Sequence, residues 1–179
     1  MKINFNTEKC FTMVEILVYI SVLSIVVITI TSFLIWSTQS NTKLRVMREV
    51  LDNTKRAMEI MTYETREAKS IYTPTTIFDT NLGQLSLETK KYLPIGEETS
   101  FIDFYLCGTR LCLKKESQNP ISLTSDKVEV KDLIFSQITT GNNVSAIQIN
   151  LKIDYKNPNN RSEYSASVNV TSAVSLRVY

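Results

Sequence analysis

The chain has 179 residues, enough for one ordinary domain plus an appendage, and its 43% apolar and 21% charged residues describe a globular protein rather than a disordered one. A net charge of +2 is too small to point to a nucleic-acid partner, and the absence of His removes the commonest general base and the commonest metal ligand. These averages hide an asymmetry. One block near the N-terminus is almost wholly apolar, while the remainder is polar, rich in Ser, Thr and Asn, and short of Gly and Pro.

From Ile16 to Thr42 there is no charged residue, and Ile16–Ile35 is dominated by Ile, Val and Leu. As a helix at about 1.5 Å per residue, that stretch spans roughly 30 Å, the hydrocarbon thickness of a bilayer. Trp36 stands at its far end, where an amphipathic ring prefers the interface. The residues are β-branched, yet a lone strand in lipid leaves its backbone groups unpaired, so a spanning segment must be helical. A cleaved secretory signal has a shorter apolar core and an Ala-x-Ala-like site, and Trp36-Ser37-Thr38-Gln39-Ser40 is a poor fit to one. A plain anchor accounts for the length but gives no use to Glu15, a carboxylate at the edge of the apolar block.

Lys9-Cys10-Phe11-Thr12-Met13-Val14-Glu15-Ile16-Leu17-Val18 resembles the prepilin motif of type IV pilin-like proteins. The family pattern is a short basic leader, a Gly, then Phe-Thr-Leu-Ile-Glu and a long apolar run. The resemblance implies a leader of residues 1–10, carrying Lys2 and Lys9, cut by prepilin peptidase between Cys10 and Phe11 on the cytoplasmic face. Phe11 is then the N-methylated residue and Glu15 the fifth residue of the mature chain. Cys10 stands where the family has Gly. In the filament, the resemblance pairs Glu15 of an incoming subunit with the N-terminal amine of its neighbour. Two charges in a low dielectric attract strongly and are costly alone, so the pair sets the register of the stack. The implied partners are prepilin peptidase, other pilin or pseudopilin subunits, an inner-membrane assembly platform and membrane lipid. The implied topology is single-pass, with a cytoplasmic N-terminus and an extracytoplasmic head.

Residues 11–36 therefore read as a transmembrane and filament-core helix, and 37–73 as its amphipathic extension. Leu44, Met47, Leu51, Thr54, Met58, Met61, Thr65 and Ala68 recur at 3-4 spacing and mark one helix face, expected to pack on the chain's own domain. Arg45/Glu49, Arg48/Asp52 and Lys55/Glu59 at i,i+4 support the helix. Pro74 is expected to end it by residues 70–73. A helix over 11–70 would reach roughly 90 Å.

After Pro74 the pattern turns to alternation, so residues 74–179 read as an antiparallel β-rich head and the whole chain as an α+β fold. Gln84–Glu88 is a weak strand. Phe101–Leu106 and Leu111–Lys115 form a hairpin. Val128–Thr139 is a strand with a phase shift near Asp132, expected to be a bulge. Ile147, Ile149, Leu151, Ile153 and Tyr155 alternate with polar residues, as do Tyr164, Ala166, Val168 and Val170, then Val174, Leu176 and Val178. Asn157-Pro158-Asn159-Asn160 is the turn between these two runs. The closing segment loosely resembles the ends of the larger minor pseudopilins, the group lettered J or W.

If Cys10 leaves with the leader, Cys107 and Cys112 remain. A two-residue turn at Thr109-Arg110 makes them a directly opposed, non-hydrogen-bonded pair with Cα atoms about 4.5 Å apart, within disulfide range. Such a staple suits an extracytoplasmic head, and the rival readings are two free thiols or half of a metal site. The chain carries no nucleotide-binding Gly-rich loop and no Gly-x-Ser-x-Gly nucleophile motif. Loops around Asn142/Asn143 and Asn157–Asn160 are poor in the carboxylates that calcium needs. No catalytic residue, metal or cofactor is expected. The leading reading is a filament subunit, minor rather than major. The alternative is a membrane-anchored extracytoplasmic binding domain that never polymerises.

Overall fold

The computed structural model describes residues 12–91, 93, 95–140 and 143–177, and the side chains of residues 140 and 143–145 are outside the description. The fold is α+β. One helix, α1 (Met13–Glu67), precedes a set of antiparallel strands: β1 (Ser70–Ile71), β2 (Leu85–Thr89), β3 (Ser100–Cys107), β4 (Arg110–Lys115), β5 (Ile121–Ser122), β6 (Val128–Thr140), β7 (Asn143–Tyr155) and β8 (Ser167–Val174). The strands form two sheets, β1-β2-β3-β4-β5 and β6-β7-β8. The chain divides into two compact units, one ending at Asn41 and the other running from Thr42 to the C-terminus.

In the second unit, α1 contributes Val50, Ala57, Met58 and Met61 to a core completed by both sheets. Leu85, Leu87, Ile102 and Phe104 come from one sheet, and Leu133, Phe135 and the alternate residues Ile147, Ile149, Leu151 and Ile153 from the other. The period-two alternation of β7 places every second side chain in this core, as its sequence requires. The helical face differs in part from the expected one. Thr54, Met58, Met61, Thr65 and Ala68 are buried, but Val46 and Val50 replace Leu44, Met47 and Leu51, which are about half exposed. The 3-4 spacing keeps to a seven-residue repeat, whereas a helix turns every 3.6 residues. Over several turns the contact line therefore drifts off a strict heptad.

The helix ends at Glu67, short of the 70–73 expected from Pro74. Tertiary pairing stops it: the Lys69 N–H donates to Glu88 O at 2.8 Å, and Ser70 and Ile71 pair with Glu88 and Leu87. An ionic cluster locks this corner. Glu88 accepts from the Lys69 ammonium at 2.7 Å and from the Ser70 hydroxyl at 2.6 Å. Lys69 first, then Ser70, holds the Glu88 carboxyl below its ordinary value. The Lys91 ammonium, bonded at 2.9 Å, lowers that of Glu67 despite some opposing desolvation, and Arg177 adds to the lowering. A carboxyl depressed by folding stabilises the fold above its unfolded value of 4.5, and that contribution is lost as pH falls through the lowered folded value. The melting temperature of the full chain in detergent is expected to fall between pH 5 and pH 3, roughly the window in which a paired carboxylate gains its proton. Glu88→Gln is expected to flatten that slope, and an unchanged slope would remove Glu88 from the account.

The phase shift in β6 is a bulge, with the register slipping between Val130 and Asp132. Val128, Val130, Leu133 and Phe135 all face the core, which strict alternation cannot achieve without one extra residue. The Asn81 carboxamide fastens the bulge: it donates to Asp132 Oδ1 at 2.8 Å and accepts from the Leu133 N–H at 3.2 Å. Gly83 allows this approach, because a Cβ there would lie 2.8 Å from the Ile77 carbonyl oxygen. Its N–H donates to Leu133 O at 2.9 Å. Tyr164, expected in a strand, lies instead in a 3-10 turn (Ser162–Tyr164), its ring stacked on Tyr155. β8 accordingly starts at Ser167. Val178 lies outside the described residues.

Candidate functional site

The residues singled out by sequence fall in both compact units. Cys10 and Phe11 lie outside the described residues. Thr12 is the residue before the helix, and its hydroxyl accepts from the Glu15 N–H at 3.3 Å. Its carbonyl accepts from Ile16 N at 3.2 Å, the first helical bond. Thr12 is thus the N-cap and Glu15 sits in the first turn of α1, where a carboxylate is favoured by the helix dipole. The spacing Thr12-x-x-Glu15 is that of a capping box, a local helix-start signal separate from the prepilin pattern. Glu15 is exposed, and its position gives the carboxylate a local role in starting the helix in addition to any role between chains.

The segment that follows is long and apolar enough to cross a membrane, and none of that window is buried by the rest of the chain. Its few hydroxyls are matched to such surroundings. Ser21 donates to Leu17 O at 2.8 Å, Ser24 to Ile20 O at 2.7 Å and Thr31 to Val27 O at 2.8 Å. Thr29 donates in the same way to Ile25 O. Each of these four hydroxyls is satisfied by its own helix, which removes most of its cost in lipid. Apart from these residues and Ser32, the exposed surface from Ile16 to Trp36 is made of large apolar side chains, ending in the Phe33–Trp36 ring contact at 6.1 Å.

In the other unit the fold brings Cys107 and Cys112 together as a disulfide with Cα atoms 5.8 Å apart. The register differs from the expected one. Cys107 pairs with Arg110, and Cys112 with Tyr105, so the turn is Gly108-Thr109 and the bond runs diagonally across the hairpin. Gly108 adopts φ +67°, and a positive φ at the first turn position is the conformation that Gly supplies without strain. Thr109-Arg110 would have put side chains where the hairpin wants that freedom. The loop closed by this bond is short, and chain-entropy reasoning assigns it about 2 kcal/mol. Denaturant titration of the full chain in detergent is expected to show a loss of that order on adding reductant. The Cys107→Ser/Cys112→Ser chain should not respond to reductant.

Glu64 is the buried carboxylate of α1 among the described residues. It meets the Lys115 ammonium of β4 at 3.4 Å, with both side chains largely covered. This pair ties helix to sheet and lies in the core rather than in a cleft. Asn157, in the loop weighed for calcium, is committed locally: its carboxamide donates to Arg161 O at 2.7 Å and accepts from the Arg161 N–H at 3.0 Å. Among the described residues, no three His, Cys, Asp or Glu side chains gather as a metal centre would require. Comparison of the chain with protein-family models, curated proteins and solved structures gave no match in any of the three.

Proposed function

We propose that the chain is a minor pilin or pseudopilin: a precursor inserted in the inner membrane, cut between Cys10 and Phe11 by prepilin peptidase, N-methylated at Phe11, and assembled by helix packing into a type IV-type filament. The observation that carries this reading is Glu15 in the first turn of a helix whose next twenty or so residues are apolar and uncovered by the chain itself. Beyond its place in the first turn, that carboxylate gives a stack of such helices a charge with which to set register. The antiparallel head and its disulfide suit an extracytoplasmic position. The role is structural and not catalytic, and the chain's partners are sibling subunits and the assembly platform.

The capping geometry favours a second reading. Thr12 and Glu15 suffice to start a helix, so the same residues serve a non-polymerising, membrane-anchored binding domain. The mature N-terminus separates the two. Mass spectrometry of the chain recovered from membranes of a host with prepilin peptidase is expected to find N-methyl-Phe at position 11. An intact Met1 would sink the filament reading and leave the anchored domain.

A further inference from the structure

The second compact unit carries a cleft at the end where α1 enters it. Two adjoining cavities, of about 300 and 260 Å³, share Tyr155 and Tyr164 as their common wall. Those rings stack 6.1 Å apart with planes 22° from parallel. Arg45 and Lys127 line the first cavity, Lys156 and Arg161 the second. The backbone holds these residues in place. Lys156 N–H donates to Lys127 O at 2.9 Å, Tyr155 N–H donates to Ala166 O at 2.9 Å, and Asn157 clamps Arg161 from both sides. Two carboxylates offset part of the charge: Glu49 lies 3.9 Å from Lys127 and Glu163 3.9 Å from Arg161. Arg45 and Lys156 have no ion-pair partner among the described residues.

We infer that this cleft binds the phosphate head group of an anionic phospholipid from the bilayer in which the chain is anchored. The inference rests on the membrane-anchored reading of α1. Its occupant follows from chain connectivity and charge. Thr42, which also lines the first cavity, follows directly on the unit that holds the apolar segment, and Arg45 stands nine residues beyond Trp36 in the chain. The nearest abundant anion is therefore the lipid phosphate. A cation that follows a span attracts the phosphate of an anionic lipid in the leaflet it adjoins, and Tyr rings favour the head-group level. Lys43 and Arg48 add charge on the same stretch of α1. The attraction acts within about 8 Å at physiological salt, so binding weakens as salt rises.

The test uses the full chain in nanodiscs of phosphatidylcholine with a minor fraction of phosphatidylglycerol, extracted and examined by native mass spectrometry. The chain is expected to retain phosphatidylglycerol in excess of its share. Arg45→Gln/Lys156→Gln is expected to lower that excess by about tenfold or more, the scale of losing two cations that hold an anionic head group. Lys90→Gln/Lys114→Gln removes the same charge from exposed positions away from the cleft lining, one just after β2 and one on β4, and is expected to leave the excess unchanged. Equal losses in both variants, or no excess in the unaltered chain, would overturn the inference. So would displacement of the lipid by millimolar inorganic phosphate, which would mark the cleft as a site for free anions. Flotation with pure phosphatidylcholine vesicles is read separately. If the chain fails to float, the anchored reading falls and the inference with it. If it floats without preferring phosphatidylglycerol, only the inference falls.

Discussion

Glu15→Ala is expected to insert into the membrane as well as the unaltered chain but to be incorporated into filaments more than tenfold less. Removing one partner of a buried ion pair costs about 3–5 kcal/mol, because it strands the other charge. Here the stranded group is the α-amine that cleavage creates at Phe11. Insertion depends on the apolar segment that follows and is indifferent to the substitution. The capping geometry makes a second variant necessary. Ala also removes a favourable first-turn acid, worth about 0.3–1 kcal/mol, so a small assembly defect could come from a frayed helix start. Gln at the same position keeps the side chain that a capping box accepts and removes only the charge. Glu15→Gln is therefore expected to fail in assembly nearly as badly as Glu15→Ala. Filament incorporation, scored against membrane abundance, checks this. Full recovery in the Gln variant would make Glu15 a helix-capping residue and would end the assembly proposal.

The second large effect separates two faces of one helix. Met61→Ala is expected to destabilise the chain by about 2–5 kcal/mol, since Met61 is fully buried among residues of both sheets and its truncation leaves a cavity. Leu51→Ala is expected to change stability by no more than about 0.5 kcal/mol, because Leu51 is 48% exposed. Spacing alone puts Leu51 and Met61 on the same apolar stripe. Urea or guanidinium titration of the two variants in detergent distinguishes a straight seven-residue stripe from the drifting contact line. A Leu51→Ala cost near that of Met61→Ala would mean that the first turns of the stripe are buried after all.

The strands show how far local pattern reaches. Ile147, Ile149, Leu151 and Ile153 announce a half-buried strand by period alone, and all four are in the core. The break in phase at Asp132 announces the bulge, because Val130 and Leu133 cannot both face inward otherwise. What escaped was held by distant partners. The short strand β1 exists only because β2 offers it a ladder, and nothing in Ser70-Ile71 announces that. The Asn81 bridge to Asp132 and Leu133 spans some fifty residues, and the Tyr164 ring leaves the strand pattern to stack on Tyr155. The candidate site divides in the same way. Thr12-x-x-Glu15 is a local signal, legible as soon as it is looked for. The cleft around Tyr155 draws on three separate stretches of chain, and no spacing rule connects them.

By itself, then, the sequence determined the class of the protein: an apolar helical segment, an acid at its start, and an alternating β-rich remainder that must be antiparallel. These follow from interactions within a few residues, where period and hydropathy act directly. Only the tertiary structure decided which face of α1 is covered, where the helix stops, and which residues of the Cys107–Cys112 hairpin form its turn. Each of those is a choice between local alternatives of nearly equal energy. Contacts from elsewhere in the chain tip the first two, and for the hairpin the pairing of β3 with β4 settles on the register that puts Gly108, with its positive φ, first in the turn.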